Sequence, residues 1–308
     1  RKVNMPRFGD VVIAPGFSGA VSNGFGVIFY VSNTTNPTEN QGSPGPTGAG
    51  RSPRGPFGTI QAAVNAAVAG RGDVIVIQRG TYTETVTANK AGLTFLGAVP
   101  YGYPDHVIVR GATAIRSANT SFYNMEFFSN STNDVSVRVG DSTGEAPSSY
   151  FENCSFASNG TTEPSAGLLI IGGNNHSVIR CRVIDNTNGI ILHSGAVSFP
   201  SGVRILGCEF LEQTTVDIGD GTTSSTADGG YVGGVLQGVR NLIVKDCTFG
   251  AGVVTPTDFI NITGASSGTV VNNYFASATY AVGTIILPAG IANSSNLTLA
   301  GWSTASPA

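Results

Sequence analysis

The six residues Val178-Ile179-Arg180-Cys181-Arg182-Val183 recur in modified form along much of the chain. When the copies are aligned on the residue at the Cys181 position, they follow one another at steps of 29, 27, 27, 39 and 26 residues. The aligned residues are Met125, Cys154, Cys181, Cys208, Cys247 and Asn273. The chain from Ser121 to Phe275 is therefore an array of similar units.

Two neighbouring columns of this alignment are apolar in every copy. Three residues before the aligned position stand Phe122, Phe151, Val178, Ile205, Val244 and Val270. Two residues after it stand Phe127, Phe156, Val183, Phe210, Phe249 and Phe275. Apolar residues that alternate over short runs rich in Val, Ile, Phe and Thr are typical of β-strands, which excludes the helical type of repeat.

Two further columns predict the bends between strands. Directly before the aligned position stand Asn124, Asn153, Arg180, Gly207, Asp246 and Asn272. Five residues after it stand Asn130, Asn159, Asn186 and Gln213. Asn, Asp and Gly tolerate the left-handed backbone of a tight bend, so we interpret both columns as turns with stacked amides. Each unit then forms one coil, and successive coils stack by parallel pairing about 4.8 Å apart.

With inward Val, Ile and Phe columns and asparagine turns, the coil from Tyr30 to Leu287 resembles the right-handed parallel β-helix of the pectin-lyase-like superfamily. The resemblance implies an all-β fold, a single-stranded right-handed parallel β-helix solenoid. The superfamily includes pectate lyases, polygalacturonases, phage tailspikes and non-enzymatic virion proteins. The resemblance therefore implies a fold and does not choose a function.

The ends of the chain differ in composition from the repeat. Thr59, followed by apolar residues at one-face helical spacing, predicts a helix that covers the open end of the first coil, as is common in the superfamily. The predicted organisation is an apolar N-terminal arm (1–29), a linker (30–56), the β-helix (57–290) with its capping helix (57–69), and a C-terminal extension (291–308).

The arm carries apolar residues that a free tail would expose to water. We interpret five of them as an assembly anchor for a neighbouring subunit or surface: Phe8, Val12, Ile13, Phe17 and Phe25. The alternative is that the arm folds back along its own β-helix.

The composition of the chain limits the classes of partner that it is expected to bind. Charged residues make up 11% of the chain and the net charge is -3, so no basic face for nucleic acid is expected. No apolar run approaches the roughly 20 residues of a membrane span. The four cysteines share one inward column within disulfide range, although stacked free thiols are favoured because the column also accepts Met125 and Asn273.

Two carboxylates are the candidate carbohydrate contacts. Asp185 and Glu212 both lie four residues after their aligned position, on adjacent coils, so their backbones should be about 5 Å apart. That spacing suits a retaining glycosidase, but the column also holds Ser129 and Ser158 and is equally a polar turn. We favour the polar turn over catalysis, and the pair would contact sugar hydroxyls only if the chain is a tailspike or a secreted polysaccharide-active enzyme. We also expect Arg182 and Glu209 to form a cross-coil ion pair.

Other candidate sites are weaker. His106, His176 and His193 fall on different columns, so no metal centre and no cofactor are expected. The twelve or so extra residues between Cys208 and Cys247 indicate a loop beginning near Ile218, where Asp217, Asp220 and Asp228 could bind calcium or simply be solvated. The excursion Tyr101-Gly102-Tyr103-Pro104 could stack on a sugar or pack against the protein.

The best-known enzymatic signatures of the superfamily are missing. Polygalacturonase-like enzymes carry an adjacent Asp pair, a Gly-His-Gly and an Arg-Ile-Lys; this chain has no adjacent Asp pair and no Arg-Ile-Lys, and its nearest His motif is Leu192-His193-Ser194-Gly195. We interpret the chain as a non-enzymatic structural protein of a virion surface, a phage capsid decoration or spike protein. The expected partners are two further copies in a homotrimer, other virion proteins such as the major capsid protein, and a host surface glycan. The alternatives are a tailspike that binds or cleaves polysaccharide and a secreted pectate-lyase-like enzyme.

Overall fold

The computed structural model describes residues 26–33, 50–102, 106–129, 135–141, 144–157, 166–194, 198–220, 238–250, 256–275, 284–298 and 301–303. Within these ranges the chain forms three long sheets and one short helix, α1 (Ile60–Ala66). No helix in the same ranges has the length and apolar character that a membrane crossing requires.

Strands of the three sheets alternate along the chain, numbered in chain order. Sheet A contains β1 (Ile28–Val31), β2 (Val74–Ile77), β5 (Thr94–Gly97), β8 (Ser121–Tyr123), β11 (Tyr150–Glu152), β14 (Ser177–Ile179), β17 (Arg204–Leu206), β20 (Leu242–Lys245), β23 (Gly268–Val271) and β26 (Ile291–Ser294). Sheet B contains β3 (Gly80–Thr83), β6 (Val107–Arg110), β9 (Met125–Phe128), β12 (Ser155–Ala157), β15 (Arg182–Ile184), β18 (Glu209–Leu211), β21 (Thr248–Gly250), β24 (Tyr274–Phe275), β27 (Asn296–Thr298) and β28 (Gly301–Ser303). Sheet C contains β4 (Val86–Ala88), β7 (Thr113–Ile115), β10 (Val135–Val139), β13 (Ala166–Ile171), β16 (Asn188–His193), β19 (Val216–Gly219), β22 (Asp258–Asn261) and β25 (Thr284–Ile286).

Pairing between coils follows the repeat. Each strand pairs in parallel with the equivalent strand of the next coil, as where Phe151 lies between Phe122 and Val178. Among the described pairs, the antiparallel one joins β27 to β28. The chain is therefore a right-handed parallel β-helix, and the predicted fold class is confirmed.

The two apolar columns form the core, as predicted. All twelve of their residues are buried, and their rings stack along the axis of the β-helix. Phe210 and Phe249 lie 4.8 Å apart between ring centroids, and Phe249 and Phe275 lie 4.7 Å apart. A parallel repeat places identical side chains one coil apart, so stacked rings follow from register.

The bends confirm one predicted column and correct the other. All six residues directly before the aligned position have positive φ, between 51° and 60°, and the amide of Asn153 donates to Asn124 Oδ1 at 2.7 Å. Five residues after it, Asn130 and Asn159 lie outside the described residues, whereas Asn186 and Gln213 are fully buried. The left-handed residues at that bend are Asp185 and Glu212, one position earlier, which turns the following amides toward the interior.

A third left-handed column was not predicted. It lies six residues before the aligned position and comprises Asn119, Ser148, Asn175, Gly202 and Asn241. Sheet A strands therefore lie between two left-handed bends in each of these coils.

The cysteine column contains four free, buried thiols, as favoured from the sequence. Their thiols donate to carbonyls of the core strands, for example from Cys208 Sγ to Val178 O at 3.4 Å and from Cys247 Sγ to Ile205 O at 3.5 Å. Burial raises the pKa of the Cys208 thiol far above its ordinary value, so these side chains pack as neutral groups.

The first coil begins earlier than the predicted boundary at residue 57. Strand β1 pairs with β2, and Phe29 and Val31 enter the core, so the segment from Ile28 belongs to the β-helix. Thr59 is the N-cap of α1, as predicted, and its side chain accepts from Ala62 N at 3.2 Å. The Glu84 carboxylate accepts from Ile60 N and Gln61 N at 2.8 and 2.9 Å, which fixes the helix against the coil that follows.

Asp73 joins the parts of this first coil. Its buried carboxylate accepts from Val27 N and Val68 N, each at 2.8 Å, and from the Arg71 guanidinium at 2.6 Å. Burial alone would raise the pKa of Asp73, but the Arg71 and backbone donors hold it below its usual value.

Other predicted boundaries also change. Ile218 and Gly219, predicted to open the long loop, belong to β19, and β26 to β28 extend the coil past residue 290.

Side chains on the outer face of sheet C form a second buried apolar cluster, distinct from the core: Val135, Ala166, Leu169, Ile171, Ile191 and Val216. The anchor residues Phe8, Val12, Ile13, Phe17 and Phe25 lie outside the described residues.

Replacing Phe210 by Ala should lower the free energy of unfolding by about 3–5 kcal/mol, because the residue is fully buried against Phe249 and truncation opens a cavity. Leu211→Ala, at the adjacent outward and half-buried position, should cost about 1 kcal/mol. Denaturant unfolding of both variants checks this, and equal losses would contradict the inward placement.

His176 should make the fold sensitive to acid. Burial lowers its pKa to about 4, while in the unfolded chain the value is 6.5. Stability is therefore full above pH 6.5 and falls as the pH drops toward 4, by about 3 kcal/mol. His176→Gln should flatten that part of the stability profile measured by thermal unfolding across this pH window. A variant that keeps the wild-type slope would show that other groups cause the loss.

Candidate functional site

The outer face of sheet B carries a group of aromatic and charged side chains, which we call the sheet-B strip: Tyr101, His106, Glu126, Arg182 and Glu209. Register creates much of it, because Glu126, Ser155, Arg182 and Glu209 are stacked partners in β9, β12, β15 and β18. Alternation within each strand directs these residues away from the Phe core.

One end of the strip is a His–carboxylate pair. His106 Nε2 lies 2.5 Å from Glu126 Oε2, and both side chains are largely shielded from solvent, at 17% and 15% exposure. The Tyr101 ring meets the His106 ring edge-on, with 5.1 Å between centroids. The tyrosine of the predicted excursion therefore packs against the β-helix and holds the imidazole in place.

The other end is the predicted ion pair, which is confirmed. Arg182 Nε lies 3.1 Å from Glu209 Oε2, with side-chain exposures of 38% and 49%. Burial tends to lower the pKa of Arg182, but a hydrogen bond with Tyr101 and the charges of Glu209 and Asp185 raise it. Tyr101 thus interacts with both His106 and Arg182.

Ser155 lies between Glu126 and Arg182 in this outward column and is nonetheless fully buried. Tyr101 contacts His106, the partner of Glu126, and interacts with Arg182 itself, so it meets residues on either side of Ser155.

Asp185 and Glu212 lie at the edge of the strip, stacked as predicted. Asp185 N donates to Leu211 O at 3.2 Å, which places Glu212 directly on the next coil. Both residues have positive φ, 56° and 61°, and both are half-buried. The arrangement is that of the polar turn position considered above, and Asp185 is also close enough to Arg182 to affect its pKa. Carbohydrate contact by this pair stays a prediction.

A tyrosine pair on sheet A was missed by sequence reasoning. The rings of Tyr123 and Tyr150 lie 5.5 Å apart, and Tyr150 donates to Glu152 Oε2 at 2.7 Å. Glu152 in turn forms an ion pair with Arg180 at the left-handed bend. Burial, and then the bond to Glu152, raise the pKa of Tyr150. The available signal was the outward position of both tyrosines in strands whose inward residues are phenylalanines.

The acidic residues considered for calcium do not converge on a loop. Asp217 lies within β19 and is buried, and Asp220 uses its carboxylate to accept from Thr263 N and Gly264 N, each at 2.7 Å. Asp228 lies outside the described residues, as do Tyr103 and Pro104. Within the part of the chain that is described, no group of three or more His, Cys, Asp or Glu side chains is arranged to hold a metal ion.

The chemistry available on the strip is polar binding. Arg182 and His106 supply nitrogen donors, Glu209 and Asp185 supply acceptors, and Tyr101 supplies a ring and a hydroxyl. Each of the two glutamates already faces a nitrogen partner, so the strip presents hydrogen-bonding groups that these contacts hold in place.

Comparisons with known proteins bear on the fold. No family model matches the chain, and no curated protein matches it. The pectin methylesterase from Aspergillus niger is similar in structure with a TM-score of 0.54 and 16% identity, over 90% of this chain and 91% of that one. A rhamnogalacturonan lyase gives a TM-score of 0.55 and 13% identity, over 89% and 74% of the two chains. The pectin methylesterase from carrot gives 0.51 and 16%, over 90% and 87%.

These similarities cover nearly the whole length of the chain at identities far below those that transfer an activity. They agree with the three parallel sheets and with the inward columns read from the sequence. The chain has the pectin-lyase-like fold of a right-handed parallel β-helix.

Proposed function

We propose that this protein is a structural component of a virion surface, a phage capsid decoration or spike protein, in which the β-helix acts as a rigid rod. The observation that carries the proposal is the pairing of the outward charges across coils. Glu126 faces His106, Glu209 faces Arg182, and Glu152 faces Arg180. These contacts fasten neighbouring coils together and leave each glutamate facing a nitrogen group, whereas a catalytic pair needs one carboxyl free to give or take a proton.

The interior supports the same role. A single apolar core runs from Phe29 in the first coil to Ile291 in the last, and parallel pairing satisfies the strand backbones coil by coil. A rod of this kind resists bending and local opening, which suits a protein exposed outside a cell.

Assembly would use surfaces beyond the β-helix core. The proposed anchor comprises Phe8, Val12, Ile13, Phe17 and Phe25, the proposed oligomer is a homotrimer, and the proposed docking partner is the major capsid protein. Ile286 and Leu297, in β25 and β27 of the last coil, are exposed at 41% and 37%, which adds an apolar surface at that end of the rod.

Removal of residues 1–25 should separate assembly from folding. The full chain should have about three times the monomer mass of 31.5 kDa by light scattering and should cosediment with particles of co-expressed major capsid protein. The truncated chain should keep its β-sheet circular dichroism and melting temperature but lose the cosedimentation. A full chain that is monomeric and fails to cosediment, or one that releases reducing ends or unsaturated uronates from polysaccharide, would overturn the proposal.

The sheet-B strip supports a second candidate, glycan binding by a tailspike-like protein. Tyr101 offers an aromatic surface between a guanidinium and a carboxylate, a combination that suits sugar rings and hydroxyls. Since Arg182 and His106 already face carboxylates, neutral saccharides should bind better than uronates.

Binding of a neutral and an acidic oligosaccharide panel, measured by calorimetry, tests this candidate. Tyr101→Ala should weaken binding of the neutral sugars about tenfold or more, because it removes the ring and frees Arg182. Tyr274→Ala, at a half-buried position in the same sheet two coils beyond Glu209, is the matched control and should bind normally. Equal effects of the two substitutions, or preference for uronates, would contradict a site at the strip.

A further inference from the structure

The interior of the β-helix contains an unexpected polar group at the bend between sheets B and C. Asn186, Gln213 and Asp217 are buried at 0%, 0% and 1% exposure. Gln213 and Asp217 have no hydrogen-bond partner for any side-chain oxygen or nitrogen, and Asn186 Oδ1 has none either, within the structure as described. Such groups are costly, so each needs a physical explanation.

Asp217 faces the core rather than solvent. In the pairing of β19 with β22, Val216 lies opposite Asp258 and Ile218 opposite Ile260, so Asp217 lies opposite Phe259. The Phe259 ring lies 6.2 Å from Phe249 and 5.4 Å from Phe275, both in the core. Stacked residues of parallel strands point the same way, so the carboxylate lies inside the β-helix.

The two amides belong to the same region. Thr214 N donates to Asn186 O at 3.1 Å, which stacks Gln213 on Asn186 one coil apart. Below Asp217 in register lie Gly189 and then Gly167. A Cβ atom at Gly167 would be 3.1 Å from both Asn186 Nδ2 and Gly189 O, so the Asn186 amide adjoins the column that Asp217 continues.

Counting donors and acceptors shows what is missing. Asn186 already uses its amide nitrogen on Phe156 O and Ile184 O, at 3.0 and 2.8 Å. The unmatched atoms are then four oxygens, from Asn186, Gln213 and Asp217, and a single amide nitrogen from Gln213. Exchanging the oxygen and nitrogen of Gln213 leaves that ratio unchanged. An acceptor-rich group with one negative charge calls for a cation.

We propose that the core of the β-helix holds a monovalent alkali cation, Na⁺ or K⁺, between Asp217, Gln213 and Asn186. Hard cations take carboxylate and amide oxygens as ligands, and one positive charge balances the single carboxylate. Calcium fits less well, because the single carboxylate balances only one of its two positive charges in the buried interior. Burial is the cause that raises the pKa of Asp217, so without a bound ion the carboxyl would have to remain protonated.

Thermal unfolding in chloride salts of Na⁺, K⁺ and tetramethylammonium, each at roughly 0.15 M, tests the proposal because ionic strength is constant and the methyl groups of tetramethylammonium keep oxygen ligands away from its charge. Wild-type protein should melt about 2–4 °C higher in Na⁺ or K⁺ than in tetramethylammonium. Asp217→Asn should melt at one temperature in all three salts, since it removes the charge and keeps the shape.

Ion content provides the second measurement, which does not depend on the variant folding. Wild-type protein refolded in rubidium chloride and desalted should retain about one Rb⁺ per chain. Equal melting temperatures of the wild type in the three salts together with no retained Rb⁺ would overturn the proposal and leave a protonated carboxyl as the explanation. A salt effect that persists in Asp217→Asn would overturn it as well, because the ion would then lie elsewhere.

Discussion

Parallel pairing between successive coils is the constraint on which the rest of this structure depends. Strands about 4.8 Å apart can form backbone hydrogen bonds with one another only if every coil returns the chain to the same position. The bends must therefore have the same geometry in every coil, as the strands do. Here the bends are single left-handed residues, and the column from Asn124 to Asn272 has φ between 51° and 60° throughout. The left-handed backbone costs most residues about 1–2 kcal/mol, whereas Gly, Asn and Asp adopt it more readily. This difference explains why Gly, Asn and Asp dominate the column. Arg180 is the exception, and its ion pair with Glu152 offers a local compensation.

The same register produces the outer surface. Phe156 is stacked between Phe127 and Val183 and points inward. Because side chains alternate along a strand, the residues before and after each of these three point outward and form outward columns. Glu126, Arg182 and Glu209 share one outward column although they are 27 to 83 residues apart in sequence. A repeat fold thus converts distant residues into a continuous surface, and the proposed rod and the proposed glycan contact at the sheet-B strip both use that property.

The interior departs from its apolar pattern at the bend between sheets B and C. Sheets A and B meet at a left-handed bend that keeps polar side chains outside or in the amide ladder of Asn124 and Asn153. Between sheets B and C the left-handed residue comes one position earlier than the amides, and Asn186 and Gln213 turn inward. Asp217 then follows on the inward face of β19. Departures from an apolar core are expected where a site or a structural ion compensates them.

The sequence alone determined the strands, the inward columns, the first bend, the stacked thiols and the Arg182–Glu209 pair. Each of these depends on a repeat of about 27 residues, which can be recognised in the amino-acid sequence without a structure. It placed Asp185 and Glu212 on adjacent coils for the same reason. Tertiary structure decided which way the amides of Asn186 and Gln213 point, since one left-handed residue reverses the alternation after it. It also brought Tyr101 onto both His106 and Arg182, because the path of an irregular segment is set by its contacts and carries no period. Asp217 looked like part of a loop in sequence and became a buried carboxylate for the physical reason that its strand, β19, is held in register by β16 and β22 on either side.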